Sequence, residues 1–410
     1  MSTRTPCVAA LALMLLLPAA CREKRVSRVT VPMVLDHNRM LVDAEMQRQD
    51  GSWRNVRLWV DTGNPDFFTS KDLARDLGVD LSLSERKAAG GESQPLVVPP
   101  PAGVRIGGMA LNFKGVNSQV LEPDWLLGTM HNDANLPSTV LQRYQVVFDY
   151  PKRRLTLAEP GSLQPRGERV AARVNPKTGI VQIDADIGGE RFSFALDNGA
   201  SYSFTSEKTL EQLSQRHPDW PRSIGALGCA NIWGWWPQEP AWPVLRLPHM
   251  QCGPVRLESV GIVGLPNFFD NGLDVGAWYS QKSAGPVNGF LGPNAFKAFR
   301  VEIDFIRSAV YFEKGAEFDA RDMDLVGLTL QPEPDGGYRV IGVAQQDGKP
   351  AVAGVEPADL LIQVGDLQTK GATMGAVVDA LRGKPGERRT LVLERSGKRF
   401  QVEAEVKRFL

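Results

Sequence analysis

Two aspartates, Asp61 and Asp197, begin matching ten-residue segments that lie 136 positions apart. The segments read DTGNPDFFTS over 61–70 and DNGASYSFTS over 197–206, and they align without a gap. Carboxyl groups at contact distance cannot both ionise, so one keeps a proton while the other stays charged. Such a pair can take a proton from water with one member and donate a proton with the other. The repeat therefore makes these two aspartates the first candidates for general acid–base chemistry.

The residues before each Asp have the pattern of a β-hairpin. In the second copy, residues 181–187 alternate apolar and polar side chains, and Gly188-Gly189 follows as a turn. A second alternating run then leads into Asp197. The first copy has the same order, with a turn near residues 50–51 before the run into Asp61. Each Asp is thus predicted at the end of a strand, and the polar runs KDLARDL and EKTLEQL that follow each repeat predict short helices.

Each copy also contains two apolar residues followed by glycine, Leu126-Leu127-Gly128 in the first and Phe290-Leu291-Gly292 in the second. An Asp-x-Gly after a strand, with such a run later, resembles the aspartic peptidases of the pepsin and retropepsin type. The resemblance covers roughly residues 28–315. It implies a mainly β fold with two β-barrel-like lobes, 21–160 and 165–315, whose Asp loops face each other.

The resemblance also implies roles for individual residues. Asp61 and Asp197 would form a dyad that activates one water, with no acyl-enzyme intermediate. The loops around them would be supported by six further residues: Thr62, Gly63, Asn198, Gly199, Gly128 and Gly292. Two positions depart from the family's pattern, because Asn198 stands where Thr or Ser is usual and Asn64 where Ala or Ser is usual. A displaced carboxylate lowers the rate steeply, on the order of a hundredfold for about 1 Å.

The last part of the chain, 325–410, resembles a bacterial PDZ domain, a small α+β fold. The resemblance lies in the run KPAVAGVEPADLL over 349–361. It implies that a loop and a helix would receive a peptide's C-terminus, through Leu325, Val326, Gly327, Leu328 and Val377. Independently of the resemblance, Thr373 is predicted to cap a helix, and Ser396-Gly397 to turn a hairpin.

The N-terminal residues read as an export signal. Residues 8–20 form an apolar run of 13, which is too short to span a membrane and precedes Cys21. The sequence LPAAC resembles a lipobox, which implies a signal peptide over 1–20 and a lipid on Cys21; a plain signal peptide is the alternative. In an oxidising compartment Cys229 and Cys252 would pair, and two separate buried thiols are the alternative.

Composition excludes some classes of protein. The chain has 410 residues, with 47 Lys and Arg against 47 Asp and Glu. It lacks the excess of basic residues that is typical of nucleic-acid-binding proteins. The histidines are scattered, and no metal or cofactor is expected. A segment rich in Trp, 228–236, would be either a flap-like hairpin over the cleft or a loop that covers the core of the second lobe.

The sequence as a whole predicts an aspartic endopeptidase of the bacterial cell envelope. It would face the periplasm, attach to the membrane only by its N-terminal lipid, act on polypeptides, and bind peptide C-termini through the PDZ domain. The alternatives are a catalytically weak peptide-binding scaffold of the same fold and an envelope adaptor.

Overall fold

A computed structural model describes residues 26–82, 96–121, 124–224, 238–267, 274–346 and 348–410. The protein is mainly β, with 45% of residues in strands and 14% in helices. Below, "first repeat" means residues 26–160, "second repeat" means 165–315, and "C-terminal segment" means 325–410. In the part of the chain that is described, no helix has the length and apolar character needed to cross a membrane.

The described residues of the first repeat contain eleven strands and two helices. The strands are β1 (Arg28–Pro32), β2 (Val34–Asp36), β3 (Arg39–Gln47), β4 (Trp53–Asp61), β5 (Phe67–Thr69), β6 (Val104–Ile106), β7 (Met109–Ala110), β8 (Ser118–Val120), β9 (Ala134–Pro137), β10 (Gln145–Asp149) and β11 (Arg154–Ala158). The helices are α1 (Lys71–Asp76) and α2 (Ser138–Leu141), and a 3-10 helix covers Asp124–Met130.

Ten strands and three helices lie in the part of the second repeat that the structure describes. The strands are β12 (Glu168–Val174), β13 (Val181–Ile187), β14 (Glu190–Leu196), β15 (Ser203–Ser206), β16 (Arg222–Ile224), β17 (Pro243–Cys252), β18 (Val255–Leu265), β19 (Gly289–Leu291), β20 (Phe299–Asp304) and β21 (Ala309–Lys314). The helices are α3 (Glu207–Arg216), α4 (Val275–Ser280) and α5 (Pro293–Phe296), and a 3-10 helix covers Glu239–Ala241.

The C-terminal segment contains eight strands and one helix. They are β22 (Leu328–Pro332), β23 (Tyr338–Val343), β24 (Gln345–Gln346), β25 (Lys349–Pro350), β26 (Leu360–Val364), β27 (Leu367–Gln368), α6 (Met374–Leu381), β28 (Arg388–Arg395) and β29 (Lys398–Glu405). All but β24 and β25 belong to one six-stranded sheet. Thr373 caps α6 by accepting from Ala376 N, and Ser396-Gly397 joins β28 to β29, as predicted.

The two repeats share one sheet and one hydrophobic core. Six strands from both repeats lie side by side in the order β1-β11-β10-β20-β21-β12 within a thirteen-stranded sheet. At its middle, β10 pairs antiparallel with β20. The runs VVFDY over 146–150 and VEIDF over 301–305 correspond to each other, and Val147 faces its counterpart Glu302. The register is therefore symmetric about this pair. Buried side chains from both repeats, such as Phe148 and Val301, belong to one cluster.

The C-terminal segment packs directly on the first repeat. Its core, which includes Val377 and Leu381 of α6, continues into Leu41, Trp59 and Met130 of the first repeat. Burial of apolar surface stabilises this contact. The C-terminal segment therefore touches the strands that lead into the first Asp loop.

Candidate active site

Each Asp lies at the end of a hairpin strand, as the sequence predicted. Asp61 is the last residue of β4, and Asp197 directly follows β14. The helix after each loop is capped by the corresponding serine, because Ser70 accepts from Leu73 N and Ser206 from Thr209 N. The two repeats thus fold the same local sequence into the same strand, loop and helix.

A second strand passes beside each Asp in parallel. In the second repeat β19 pairs with β14, and Gly292 follows β19 next to the loop. A Cβ atom on Gly292 would overlap the backbone carbonyl of Tyr202, so this position requires glycine, as predicted. In the first repeat the corresponding strand is β9, whose Pro137 pairs with Asp61.

The predicted role of Gly128 is therefore wrong. Gly128 lies in the 3-10 helix Asp124–Met130, and a Cβ atom there would meet no described atom within 4 Å. The strand beside Asp61 is instead Ala134–Pro137, whose sequence, ANLP, ends in proline rather than glycine. A short apolar run before a glycine was not specific enough to locate this strand.

The two Asp loops face each other. A Cβ atom on Gly63 would overlap the carboxyl group of Asp197, and one on Gly199 would lie 2.7 Å from Asp61 Cγ. Each carboxyl group thus rests against the glycine of the opposite loop. Asp61 is 3% exposed and Asp197 6%. The glycines are required because no side chain fits between the loops.

Thr62 and Asn198 join the loops by reciprocal hydrogen bonds. Thr62 N donates to Asn198 Oδ1 at 2.8 Å, and Asn198 N donates to Thr62 Oγ1 at 3.0 Å. Thr62 Oγ1 also donates to Leu196 O at 3.0 Å. The amide oxygen of Asn198 therefore accepts the bond that a hydroxyl would accept, so this departure leaves the loops joined.

Asn64, the other departure, organises its own loop. Its Oδ1 accepts from Asp66 N at 3.3 Å, and its Nδ2 donates to Asp66 O at 3.1 Å. Its carbonyl oxygen accepts from Ser138 N and Ser138 Oγ, both at 2.9 Å. Asn64 thus connects the first Asp loop to α2.

The two carboxyl groups have different hydrogen-bond partners. Asp61 Oδ1 accepts from Gly63 N at 3.0 Å. Asp197 Oδ1 accepts from Gly199 N at 2.9 Å and Ala200 N at 3.1 Å, and its Oδ2 accepts from the Tyr279 hydroxyl at 2.5 Å. Donors stabilise the ionised form, so Asp197 is the better carboxylate and Asp61 the better holder of a proton.

The electrostatics agree with this division. Burial, and then the neighbouring Asp197 carboxylate, raise the pKa of Asp61 well above its usual value. Burial also raises the pKa of Asp197, but hydrogen bonds from Tyr279, Gly199 and Ala200 oppose that shift. Because the two groups are coupled, the proton belongs to the pair.

Several residues at the site were not found by sequence reasoning. Arg39 is 1% exposed, and its Nε donates to Gly199 O at 2.8 Å, as does Trp59 Nε1 at 3.2 Å. Lys282 stands with its Nζ 4.0 Å from the ring centroid of Trp278. Burial lowers the pKa of Lys282, and the carboxylates of Asp66, Asp61 and Asp197 oppose this. The chain brings these cations from distant positions, and no spacing in the sequence marks them.

The predicted peptide-binding loop of the C-terminal segment is used inside the protein. Leu325 N donates to Lys407 O at 3.2 Å, and Val326 N donates to Leu381 O at 3.0 Å. A Cβ atom on Gly327 would lie 2.7 Å from the ring of Phe409. The side chains of the two other predicted residues, Leu328 and Val377, are buried in the core. A peptide carboxylate would have to displace these internal contacts.

Three predictions concern residues outside the described part of the chain. Cys21 and the Trp-rich segment 228–236 lie there, and so does Cys229, so the lipid, the flap and the disulfide stay predictions. Cys252 is buried at the end of β17 and forms no disulfide with a described residue. Burial raises the pKa of its thiol to about 12, which makes it unreactive at neutral pH.

Comparison with known proteins gave no further assignment. No protein-family model and no curated protein matched the sequence. The function proposed below is therefore inferred from the residues and geometry of the site.

Proposed function

We propose that this protein is an aspartic endopeptidase with two lobes, formed by the first and second repeats, and a PDZ-like C-terminal segment. The observation that carries the proposal is the packing of each Asp carboxyl group against the glycine of the opposite loop. The two buried carboxyl groups lie together between two repeats that share a five-strand order, β3-β4-β9-β5-β8 in the first and β13-β14-β19-β15-β18 in the second. Among common hydrolytic mechanisms, this arrangement suits a dyad that shares one proton.

In the proposed reaction Asp197 is the base and Asp61 the acid. Asp197 takes a proton from a water, whose oxygen attacks the scissile carbonyl carbon, while Asp61 gives its proton to the carbonyl oxygen. A gem-diol results. One of its hydroxyls then returns a proton to Asp61, the proton on Asp197 passes to the leaving nitrogen, and the C–N bond breaks. The products are a carboxylic acid and an amine, and the dyad again holds one proton.

The role of Arg39 in this scheme is electrostatic. Its guanidinium lies near both aspartates and favours the charged form of the pair. A buried pair with no cation nearby would hold its negative charge at a higher free energy. The site therefore contains the charge compensation that a singly ionised dyad needs.

The experiment is cleavage of an unfolded polypeptide by purified protein lacking the signal segment. We expect wild type to cleave, and Asp61→Asn and Asp197→Asn each to lose activity by at least about a thousandfold. Asp43→Asn removes an exposed carboxylate of β3 and serves as the control. A wild type that never cleaves, or variants that cleave like Asp43→Asn, would refute the proposal.

The catalytically weak scaffold is a second candidate, and one contact favours it. The Tyr279 hydroxyl occupies Asp197 Oδ2, an oxygen that could otherwise bind a water or a substrate. In that case wild type would bind unfolded polypeptides without cleaving them. The same assay, with binding measured alongside cleavage, separates the two functions.

The proposed location is the bacterial cell envelope, with a lipid on Cys21. This rests on the LPAAC sequence alone. Expression of the full chain with a radiolabelled fatty acid tests it: label should appear in wild type and be absent from Cys21→Ser. Equal labelling of the two would contradict it.

A further inference from the structure

A buried turn, Asp36–Arg39, lies between the second Asp loop and the C-terminal segment. It joins β2 to β3, and His37 and Asn38 have positive φ values of 46° and 65°. All four residues are at most 9% exposed. A turn this tight and this buried transmits a displacement on one side to the other, since its atoms have no free space.

On one side, the turn holds the loop that carries Asp197. Arg39 Nε donates to Gly199 O at 2.8 Å, and Asn38 Nδ2 donates to Ser201 O at 2.9 Å. These two bonds span the residues whose N–H groups, Gly199 and Ala200, donate to Asp197. The turn thus fixes the peptide units that solvate the carboxylate.

On the other side, the turn is held by α6 of the C-terminal segment. The Asp36 carboxylate accepts from Gly375 N at 3.0 Å and from the Thr373 hydroxyl. A Cβ atom on Gly375 would overlap His37 N and lie 2.6 Å from Asp36 Cγ. Next to this contact, His131 Nε2 lies 2.9 Å from Gly371 O. The helix therefore approaches the turn as closely as backbone atoms allow.

Building on the proposed function, we propose that the C-terminal segment is a positioning element of the Asp dyad. Asp36 and Arg39 are the positioning residues: α6 fixes Asp36, and through the turn it fixes Arg39 on the carbonyl of Gly199. This gives the PDZ-like segment an intramolecular partner, the catalytic body itself, at the face formed by α6.

Gly375→Ala tests this coupling in the full-length protein. Alanine is more favourable than glycine in a helix by about 1 kcal/mol, so the substitution does not destabilise α6 itself. The added Cβ overlaps the turn and forces the helix to move away from it. Gly337→Ala is the matched control, because its Cβ would meet only the exposed Asp335 side chain, at 3.1 Å. Amide hydrogen exchange over 373–377 reports whether the contact opens, and exchange over 197–203 reports the loop without requiring activity.

We expect Gly375→Ala to raise exchange in both segments, the latter roughly tenfold, and Gly337→Ala to raise neither. We also expect kcat to fall on the order of tenfold or more with little change in KM. The acid limb of the pH profile of kcat/KM should move to higher pH by roughly half a unit to one unit. Arg39 would lie farther from the dyad, and loss of its positive charge raises the pKa of the carboxyl groups. Lys282, Tyr279 and Tyr150 also face the pair, Asp36 faces Arg39, and the variant replaces none of them.

An opened 373–377 contact with unchanged exchange over 197–203 would overturn the proposal. Should the single variant stay closed, Asp36→Ala combined with Gly375→Ala removes the contact from both sides. If the double variant also stays closed, Asp36 does not hold α6 and the proposal fails. Absence of cleavage in wild type would refute the peptidase function, whereas the exchange measurements would still decide the coupling.

Discussion

At the scale of single residues, Asn198 differs from the Thr or Ser usual in aspartic peptidases, and the two loops are still joined. Its side chain accepts from Thr62 N, and its own N–H donates to Thr62 Oγ1. The sequence marked Asn198 as a possible defect because residue type alone does not reveal which atom accepts. The structure shows that one oxygen at this position is enough to join the loops.

Asn198→Ala leaves the buried N–H of Thr62 without its acceptor. We expect the free energy of unfolding to fall by about 1–3 kcal/mol, as for other buried polar groups left unpaired. Asn198→Thr, which restores an oxygen near the same place, should lose less. Denaturant unfolding of the two variants beside wild type measures this, and equal losses would show that the acceptor is unimportant.

Tyr279 governs the ionisation of Asp197 through one hydrogen bond. Removing the hydroxyl in Tyr279→Phe takes away a donor that stabilises the carboxylate, so the pKa of Asp197 should rise. The acid limb of kcat/KM should then move upward by about one unit. Tyr311→Phe, a tyrosine of β21 far along the chain, is the control. A limb that stays in place, or moves downward, would show that Asp197 is not the base.

The buried Asp61 carboxyl group lowers the free energy of unfolding at neutral pH, because its pKa is raised in the folded protein. Its pKa is higher in the folded protein than in the unfolded chain, so the folded state binds more protons between those two values. Stability of the wild type therefore decreases as pH rises through that window. Asp61→Asn has no such proton, and we expect its melting temperature to exceed that of wild type increasingly from pH 4 to 7. Calorimetry at several pH values measures the difference in melting temperature. A constant or shrinking difference would be inconsistent with a buried carboxyl group whose pKa is raised.

At the scale of elements, local patterns in the sequence predicted the hairpins, the helix cap at Thr373 and one of the two supporting strands. The turns at Gly188-Gly189 and Ser396-Gly397 and the cap at Thr373 depend on neighbouring residues only. The strand beside Asp61 depends on a parallel pairing over 76 residues, from Asp61 to Pro137, and no local pattern identified it. Tyr279 and Arg39 also reach the site over long separations, 82 and 160 residues.

Two glycines separate the correct prediction from the incorrect one. Gly292→Ala would push β19 away from Tyr202, and we expect a loss of about 1–3 kcal/mol in stability together with lower activity. Gly128→Ala meets no described atom and should change both by little. Unfolding curves and cleavage rates of this pair test the assignment of the two strands, and similar losses in both variants would contradict it.

At the scale of the whole molecule, the C-terminal segment packs against the first repeat. It covers Leu41, Trp59 and Met130 with its own core, and α6 bonds to the Asp36 turn. Two bodies joined by buried apolar contacts unfold together when the contact is strong compared with their separate stabilities. The PDZ resemblance alone suggested a separate domain, because sequence patterns within 325–410 say nothing of what lies against it.

Calorimetric unfolding of the full-length protein should therefore show one transition in wild type. In Gly375→Ala we expect two transitions, or one at a lower temperature with a clear shoulder, because the contact at the turn is broken. Gly337→Ala should behave like wild type. Two separate transitions already in wild type would mean that the segment folds independently.

The most direct test of the account is a titration of the two carboxyl groups themselves. Protein with 13C-labelled aspartate carboxyls, assigned through Asp61→Asn and Asp197→Asn, is followed by NMR from low to high pH. A shared proton predicts two well-separated steps in wild type. In Asp197→Asn the pKa of Asp61 should fall, because the neighbouring charge is gone. In Asp61→Asn the lower step should remain, because the neighbour of Asp197 is neutral there, as it is in the protonated pair. Two independent titrations near the ordinary value of aspartate, each unaffected by the other substitution, would contradict a shared proton and with it the proposed mechanism.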